Sequence, residues 1–322
     1  MEPSNLWHRR EFLSAVGAGA AAITMAQARV EAAPAAKFDI SLAQWSLNRQ
    51  FFAFLGRNRG GDTRPLDPQD FPVIAKDEFG IHAVEYVNQF YKEVVGNKQY
   101  LADLKKKAED AGVRNVLIMC DGEGNLGDPD QQRRENSVKN HVKWLEWAQE
   151  LGCHSIRVNA RSDDKLSYHE QQKLAADGLR RLCELSDSYG LNVIVENHGG
   201  LSSHGRWLAD VMAQVDHPRC GTLPDFGNFR HVARVDGVSI DYDRYLGVYE
   251  LMPYAKGASA KSYAFDDQGN ETTIDYEKML KIVCAPQFGF TGYIGIEFEG
   301  GGDSFEGIRA TKRLLERIRE SL

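Results

Sequence analysis

From residue 38 to the end, this chain alternates short apolar runs with amphipathic stretches, and no other feature restricts its fold as much. The apolar runs are Phe38–Trp45, Ala83–Val87, Asn115–Cys120, Ser155–Asn159, Asn192–Glu196, Cys220–Leu223, Ala255–Lys261 and Tyr293–Phe298. Each has the length and apolar character of a buried strand. The clearest helical stretches are Gln99–Ala111, Arg133–Leu151, Tyr168–Tyr189, Trp207–Val215, Tyr276–Val283 and Phe305–Ile318. Apolar residues recur in them at helical spacing, as at Leu174, Leu182, Leu185 and Tyr189. Eight strand–helix alternations predict an α/β fold, a (β/α)8 TIM barrel. An open doubly wound sheet would more often carry a dinucleotide glycine fingerprint, and the chain has none. Gly122-Glu123-Gly124 lacks the Gly-Lys-Ser/Thr ending of a phosphate loop and reads as an ordinary turn. No dedicated phosphate cradle is evident.

The amino terminus reads as a separate object. Arg9-Arg10-Glu11-Phe12-Leu13 opens an Ala/Gly-rich stretch up to Met25, followed by Ala26-Gln27-Ala28, which suits a signal peptidase. The paired arginines followed by x-Phe-Leu have the form of a twin-arginine signal. The expectation is a leader and linker over residues 1–36, a single catalytic barrel over 37–322, export by the twin-arginine translocation machinery and a periplasmic product. The apolar core is too short and too rich in Gly and Ala for a stable membrane span. The formal net charge is −7, and the two arginines and two glutamates of the first 28 residues cancel, so the remainder keeps that charge. An acidic chain with no basic patch argues against nucleic acid as a partner. The five scattered cysteines read as buried thiols.

Three carboxylates share one address. Glu196, Asp225 and Glu297 each end an apolar run and precede a glycine-bearing turn. In a parallel barrel, strand ends converge on the rim that carries the chemistry. Three acids arriving there with no nearby run of bases call for a cation, so a divalent-metal site is expected. The connection from Asn48 to about Pro65 is unusually long and carries Phe51, Phe52, Phe54, Arg57 and Arg59. It reads either as a cover over that rim or as a decorated surface loop.

The succession Val195-Glu196-Asn197-His198, Leu223-Pro224-Asp225, Ser259-Ala260-Lys261 and Tyr293-Ile294-Gly295-Ile296-Glu297 resembles the sugar phosphate isomerase/epimerase superfamily. These are the xylose isomerase-like barrels, and the resemblance spans roughly residues 38–320. It implies that Glu196, Asp225 and Glu297 are metal ligands. Such enzymes usually supply a further His two residues before the position of Lys261, and this chain has Ser259 there. Asn228 stands where many relatives carry a substrate-contacting His. Coordination is then completed by water, by substrate oxygens or by His198, which is either a ligand or a hydrogen-bonded neighbour of the ligands. An oxygen-rich ligand set moves the expectation towards Mn2+ or Mg2+, with Co2+ and Zn2+ left open.

This constellation suits removal of a proton next to a carbonyl, with Glu196 and Glu297 taking and returning it. Asp225 mainly holds the metal. Lys261 adds positive charge at the developing oxyanion or pairs with a rim acid, and Glu299, on the same strand face as Glu297 if that strand continues, is a further rim acid or a salt-bridge partner. Trp45, ending strand one, lies against a sugar ring or belongs to the barrel packing; Glu85 and Asn159, ending strands two and four, bind hydroxyls or only cap their strands, and His198 and Asn228 are further candidates for substrate binding. The expected activity is a metal-dependent isomerase or epimerase of a sugar or keto-sugar through an enediolate. A lyase or dehydratase using the same chemistry, or a non-catalytic sugar-binding barrel, are the alternatives. A homo-oligomer is compatible with either.

Overall fold

The structure, a computed structural model, describes residues 38–57, 63–230, 232–235 and 238–322. The expected export leader, Arg59 and His231 lie outside the described residues. Eight parallel strands form the barrel: β1 (Asp39–Ala43), β2 (Ala83–Val87), β3 (Arg114–Met119), β4 (Ser155–Val158), β5 (Asn192–Glu196), β6 (Cys220–Leu223), β9 (Ala258–Ser262) and β10 (Tyr293–Phe298). Their order is β6-β5-β4-β3-β2-β1-β10-β9. Parallel bridges from Thr222 to Ala255 and from Asp225 to Ser259 bring β6 beside β9 and nearly close the ring. A small antiparallel hairpin, β7 (Ala233–Val235) and β8 (Val238–Ile240), interrupts the loop after β6.

The strands are buried because the barrel interior covers one face and the helices the other. Nine helices are described: α1 (Asn48–Phe54), α2 (Phe71–Phe79), α3 (Lys98–Ala111), α4 (Gln131–Leu151), α5 (Tyr168–Ser186), α6 (Gly205–Val215), α7 (Arg244–Leu251), α8 (Tyr276–Val283) and α9 (Ser304–Ser321). Their starts follow from sequence. Ser167 and Glu170 form a reciprocal capping box on α5, while Asp130, Asp243 and Asp275 accept amide hydrogens at the starts of α4, α7 and α8. Such caps contribute about 1 kcal/mol each. No described helix is long and apolar enough to cross a membrane.

The secondary structure departs from the sequence reading in three places. The stretch after β1 is not one long loop, because Asn48–Phe54 folds as α1. Phe51 and Phe52 are buried against Phe90, with ring centroids 5.2 and 5.0 Å away, and Arg57 pairs with Glu93. On α5 the buried stripe runs through Ala175, Leu179, Leu182 and Ser186, leaving Leu185 exposed. The short helices α1, α2 and α7 were not anticipated, since helices of two turns leave little periodicity to read. All five cysteines are free, four of them buried and Cys220 half-buried.

Candidate metal centre and active site

The strand ends set the geometry. The Cα register pairs Glu297 with Lys261 and Gly295 with Ser259, and a bridge sets Asp225 beside Ser259. Alternation along β9 and β10 therefore turns Ser259, Lys261, Gly295 and Glu297 to one face, the barrel interior. Carboxylate oxygens of Glu196, Asp225 and Glu297 lie within 4.8 Å of one another, and all three residues are buried. Ser259 Oγ donates to Asp225 Oδ2 at 2.9 Å and also lies 3.2 Å from Glu297 Oε2. The serine thus stands inside the acid cluster.

Two buried cations also stand there, contrary to the expectation that the acids lack basic partners. Arg157 Nε is 2.6 Å from Glu196 Oε2 and its Nη1 donates to Asp121 Oδ1 at 2.8 Å. The first contact is an ion pair without hydrogen-bond alignment, so both of its atoms remain buried with no hydrogen-bond partner. Lys261 Nζ reaches Glu297 Oε1 at 2.5 Å, Glu299 Oε2 at 3.0 Å and Asp225 Oδ2 at 3.6 Å. Arg157 sits inside the apolar run Ser-Ile-Arg-Val. A lone charge in such a run, on the inward parity, was the signal that could have revealed it.

Five carboxylates (Asp121, Glu196, Asp225, Glu297, Glu299) share these two cations. The excess must be met by protons or by another cation. Burial pushes the carboxyls of Glu196 and Asp225 up to about 7, against the pull of Arg157 on the first and of Lys261 on the second. Burial opposes the charge of Lys261, yet Asp225, Glu297 and Glu299 hold its ammonium well above its ordinary range. At Glu299 burial is outweighed by Lys261, which holds that carboxyl low. An all-oxygen donor set with surplus negative charge fits a hard divalent cation.

The backbone braces this cluster. Asn197 Oδ1 accepts from the Asp225 amide at 2.7 Å, and its Nδ2 donates to the Asp225 carbonyl at 3.0 Å. Asp225 Oδ1 accepts from the amides of Gly227 and Asn228, and Asn228 Nδ2 donates to Glu196 Oε1 at 3.0 Å. Gly227 permits this turn, because a Cβ there would fall 2.5 Å from the Tyr263 hydroxyl and 2.7 Å from Lys261 Cγ. Asn197 was missed by sequence reasoning, as a buried amide beside Glu196 leaves no periodic trace.

A cavity of about 680 Å3 opens above the acids, within the ~300–1,000 Å3 typical of small-molecule sites. Trp45, Asn159, His198 and Asn228 line it, together with Glu297, Glu299 and Lys261. Trp45 Nε1 donates to Glu299 Oε1 at 2.5 Å, and its ring stacks on Phe90 at a centroid distance of 6.4 Å. His198 Nδ1 is 3.0 Å from Asn159 Oδ1, and Asn159 Nδ2 donates to Asp121. That places the His198 proton on Nδ1. Burial and then Arg157 lower its basicity, so the ring is neutral. His198 is not one of the three residues whose oxygens converge.

Glu85 is placed differently from the sequence expectation. It lies mid-strand in β2, paired with Ala43 and Leu117, and does not line the cavity. The strand continues to Val87, so Glu85 falls below the rim. Ser41 Oγ donates to its Oε1 at 2.6 Å, while Oε2 has no partner. Burial raises its carboxyl to about 8, so it is protonated at neutral pH. Gly295 makes room for it, since a Cβ there would stand 2.6 Å from both carboxyl oxygens.

Comparison with solved structures returns this barrel repeatedly. The 3-keto-D-glucoside 4-epimerase of E. coli has a TM-score of 0.63 at 16% identity, covering 87% of this chain and 100% of its own. The probable 3-DHS dehydratase AsbF of Bacillus anthracis has 0.59 at 14%, covering 87% and 99%. The IOLI protein, solved with a binding zinc atom, has 0.66 at 11%, covering 88% and 99%. No curated protein matches by sequence. At such identities the likeness establishes the fold. The family model of the xylose isomerase-like TIM barrel matches residues 74–321, and with the barrel and its rim acids in place, the chain belongs to that family.

Proposed function

We propose that this protein is a divalent-metal-dependent isomerase or epimerase of a sugar or keto-sugar. The observation that carries the reading is the convergence of Glu196, Asp225 and Glu297 under a polar cavity. Glu196, Asp225 and Glu297 would hold the metal, with Ser259 in place of an imidazole, which favours Mn2+ or Mg2+. When bound, such an ion supplies Lewis-acid stabilisation of the charge that develops next to a carbonyl.

The chain's own residues do the rest. Glu196 and Glu297 come from β5 and β10, on either side of the β6–β9 seam, and would remove and return the proton from two sides of one carbon. Lys261 presents positive charge to the enediolate oxygen. Trp45 offers an apolar face, while Asn159, His198 and Asn228 offer hydrogen bonds to hydroxyls.

The test is solvent-deuterium incorporation into a panel of keto-sugars by the Mn2+-loaded protein. Exchange without loss of a substituent supports the isomerase or epimerase. Exchange with release of a β-substituent would make the protein a lyase, a reading supported by its likeness to the 3-DHS dehydratase. Binding without exchange would leave a non-catalytic sugar-binding barrel. We also propose export through the twin-arginine machinery, from the Arg9-Arg10 pattern. Replacing both arginines by lysine keeps the charge, and should strand a folded precursor in the cytoplasm. Normal export of that variant would reject the assignment.

A further inference from the structure

Four cations line the cavity, and two of them are already committed: Arg157 to Asp121 and Glu196, and Lys261 to Glu297, Glu299 and Asp225. Arg161 and Arg230 line the same cavity, are exposed, and make no ion pair or side-chain hydrogen bond among the described residues. Other arginines of this acidic chain, such as Arg133, Arg181 and Arg219, have found carboxylates. The two uncommitted guanidiniums come from one sector. Arg161 follows β4 and Arg230 lies in the loop after β6, and these strands flank β5 on its two sides. Glu297 and Lys261, which line the cavity, are buried, whereas the two arginines that line it are exposed, which puts them on its open side.

A neutral sugar gives such a pair nothing to neutralise. Hydroxyls are served by Asn159, His198 and Asn228, already at hand. Guanidinium forks match the planar or tetrahedral oxygens of a carboxylate or a phosphate, and two of them at a cavity mouth also raise the local concentration of an anion. We infer that the substrate carries an anionic group, a carboxylate or a phosphate ester, at the end remote from its reacting carbon, and that Arg161 and Arg230 bind it. This rests on the sugar-enzyme reading for the rest of the molecule, but the anion subsite itself is a matter of binding.

The test uses three ketoses that differ in that group: D-fructose, D-fructuronate and D-fructose 6-phosphate, titrated calorimetrically into the full Mn2+-loaded chain. At least one anion binds tenfold or more tighter than D-fructose, and raising the salt from 50 to 500 mM erodes that preference, as partly exposed charge contacts require. Which anion wins distinguishes carboxylate from phosphate. Arg161→Gln with Arg230→Gln reduces the preference to less than about threefold. Both sites are exposed, so folding is not at stake, and the urea midpoint of the double variant checks it. Equal binding of all three ketoses, no binding of either anion at millimolar concentration, or an undiminished preference in the double variant would overturn the inference. Because no turnover is read, a failed deuterium exchange would reject the proposed activity and leave this result standing.

Discussion

Lys261→Met is the most informative single change. The ammonium is 2% exposed and lies 2.5, 3.0 and 3.6 Å from Glu297, Glu299 and Asp225. At an effective dielectric of about 20, one such pair at 4 Å is worth roughly 4 kcal/mol before desolvation is subtracted. Removing one partner from a buried pair has a net cost of about 3–5 kcal/mol, against a total stability of about 5–15 kcal/mol for an ordinary domain. Methionine keeps most of the volume, so the loss reports charge and not a cavity. At pH 7 the metal-free variant should lose about 3–5 kcal/mol in urea unfolding. That deficit should shrink towards pH 5.5, because Asp225, already raised to about 7, then carries a proton and needs no partner. Removing a positive charge from the acid cluster should also tighten Mn2+ tenfold or more, about 1.4 kcal/mol by calorimetry. Saturating Mn2+ should then restore roughly 3 kcal/mol of the stability, as expected near a hundredfold excess over Kd. A variant with an unchanged urea midpoint at pH 7 and an unchanged Mn2+ affinity would refute the placement of Lys261 among the acids.

Three further expectations concern the same centre. Glu196→Gln, Asp225→Asn and Glu297→Gln should each lower Mn2+ content by elemental analysis and abolish deuterium exchange; full metal stoichiometry in all three would place the site elsewhere. Ser259 bridges Asp225 and Glu297, so Ser259→His should shift preference towards Zn2+ or Co2+ in competition titrations, and an unchanged preference would argue that the side chain is not a donor. Glu85 has its carboxyl raised from the ordinary 4.5 to about 8, so the stability it contributes is complete below about 4.5 and is lost as pH rises through about 8. Glu85→Gln should therefore flatten the fall in urea stability between pH 5 and 8; parallel pH profiles for the two proteins would mean that Glu85 is not held neutral.

Much of the fold was legible because strands and helices write their periods locally. β2, β5, β6, β10 and α8 fall on the residues expected of them, and other boundaries shift by a few residues, as at β9 and α6. The carboxylates Glu196, Asp225 and Glu297 were legible for the same reason. In a parallel barrel the end of a strand is a position in space as well as in sequence, so three strand-end acids had to face one rim. The family resemblance added the expectation that they hold a metal together.

Charge balance was decided only by tertiary structure. Arg157 lies within an apolar run whose neighbours give no hint that its partners are Asp121, on the preceding strand's loop, and Glu196, on the next strand. Lys261 was legible as a rim residue, but its three carboxylate partners come from the loops and ends of other strands. Depth was equally hidden, since Glu85 was expected to reach the rim, whereas it lies mid-strand below it, against Gly295. The two arginines that line the cavity are ordinary loop residues in sequence, and reach one cavity because β4 and β6 flank β5. Periodicity is set by each residue's own neighbours, whereas the pairing, desolvation and register of charges depend on chain segments tens to hundreds of residues apart, which meet only when the barrel closes.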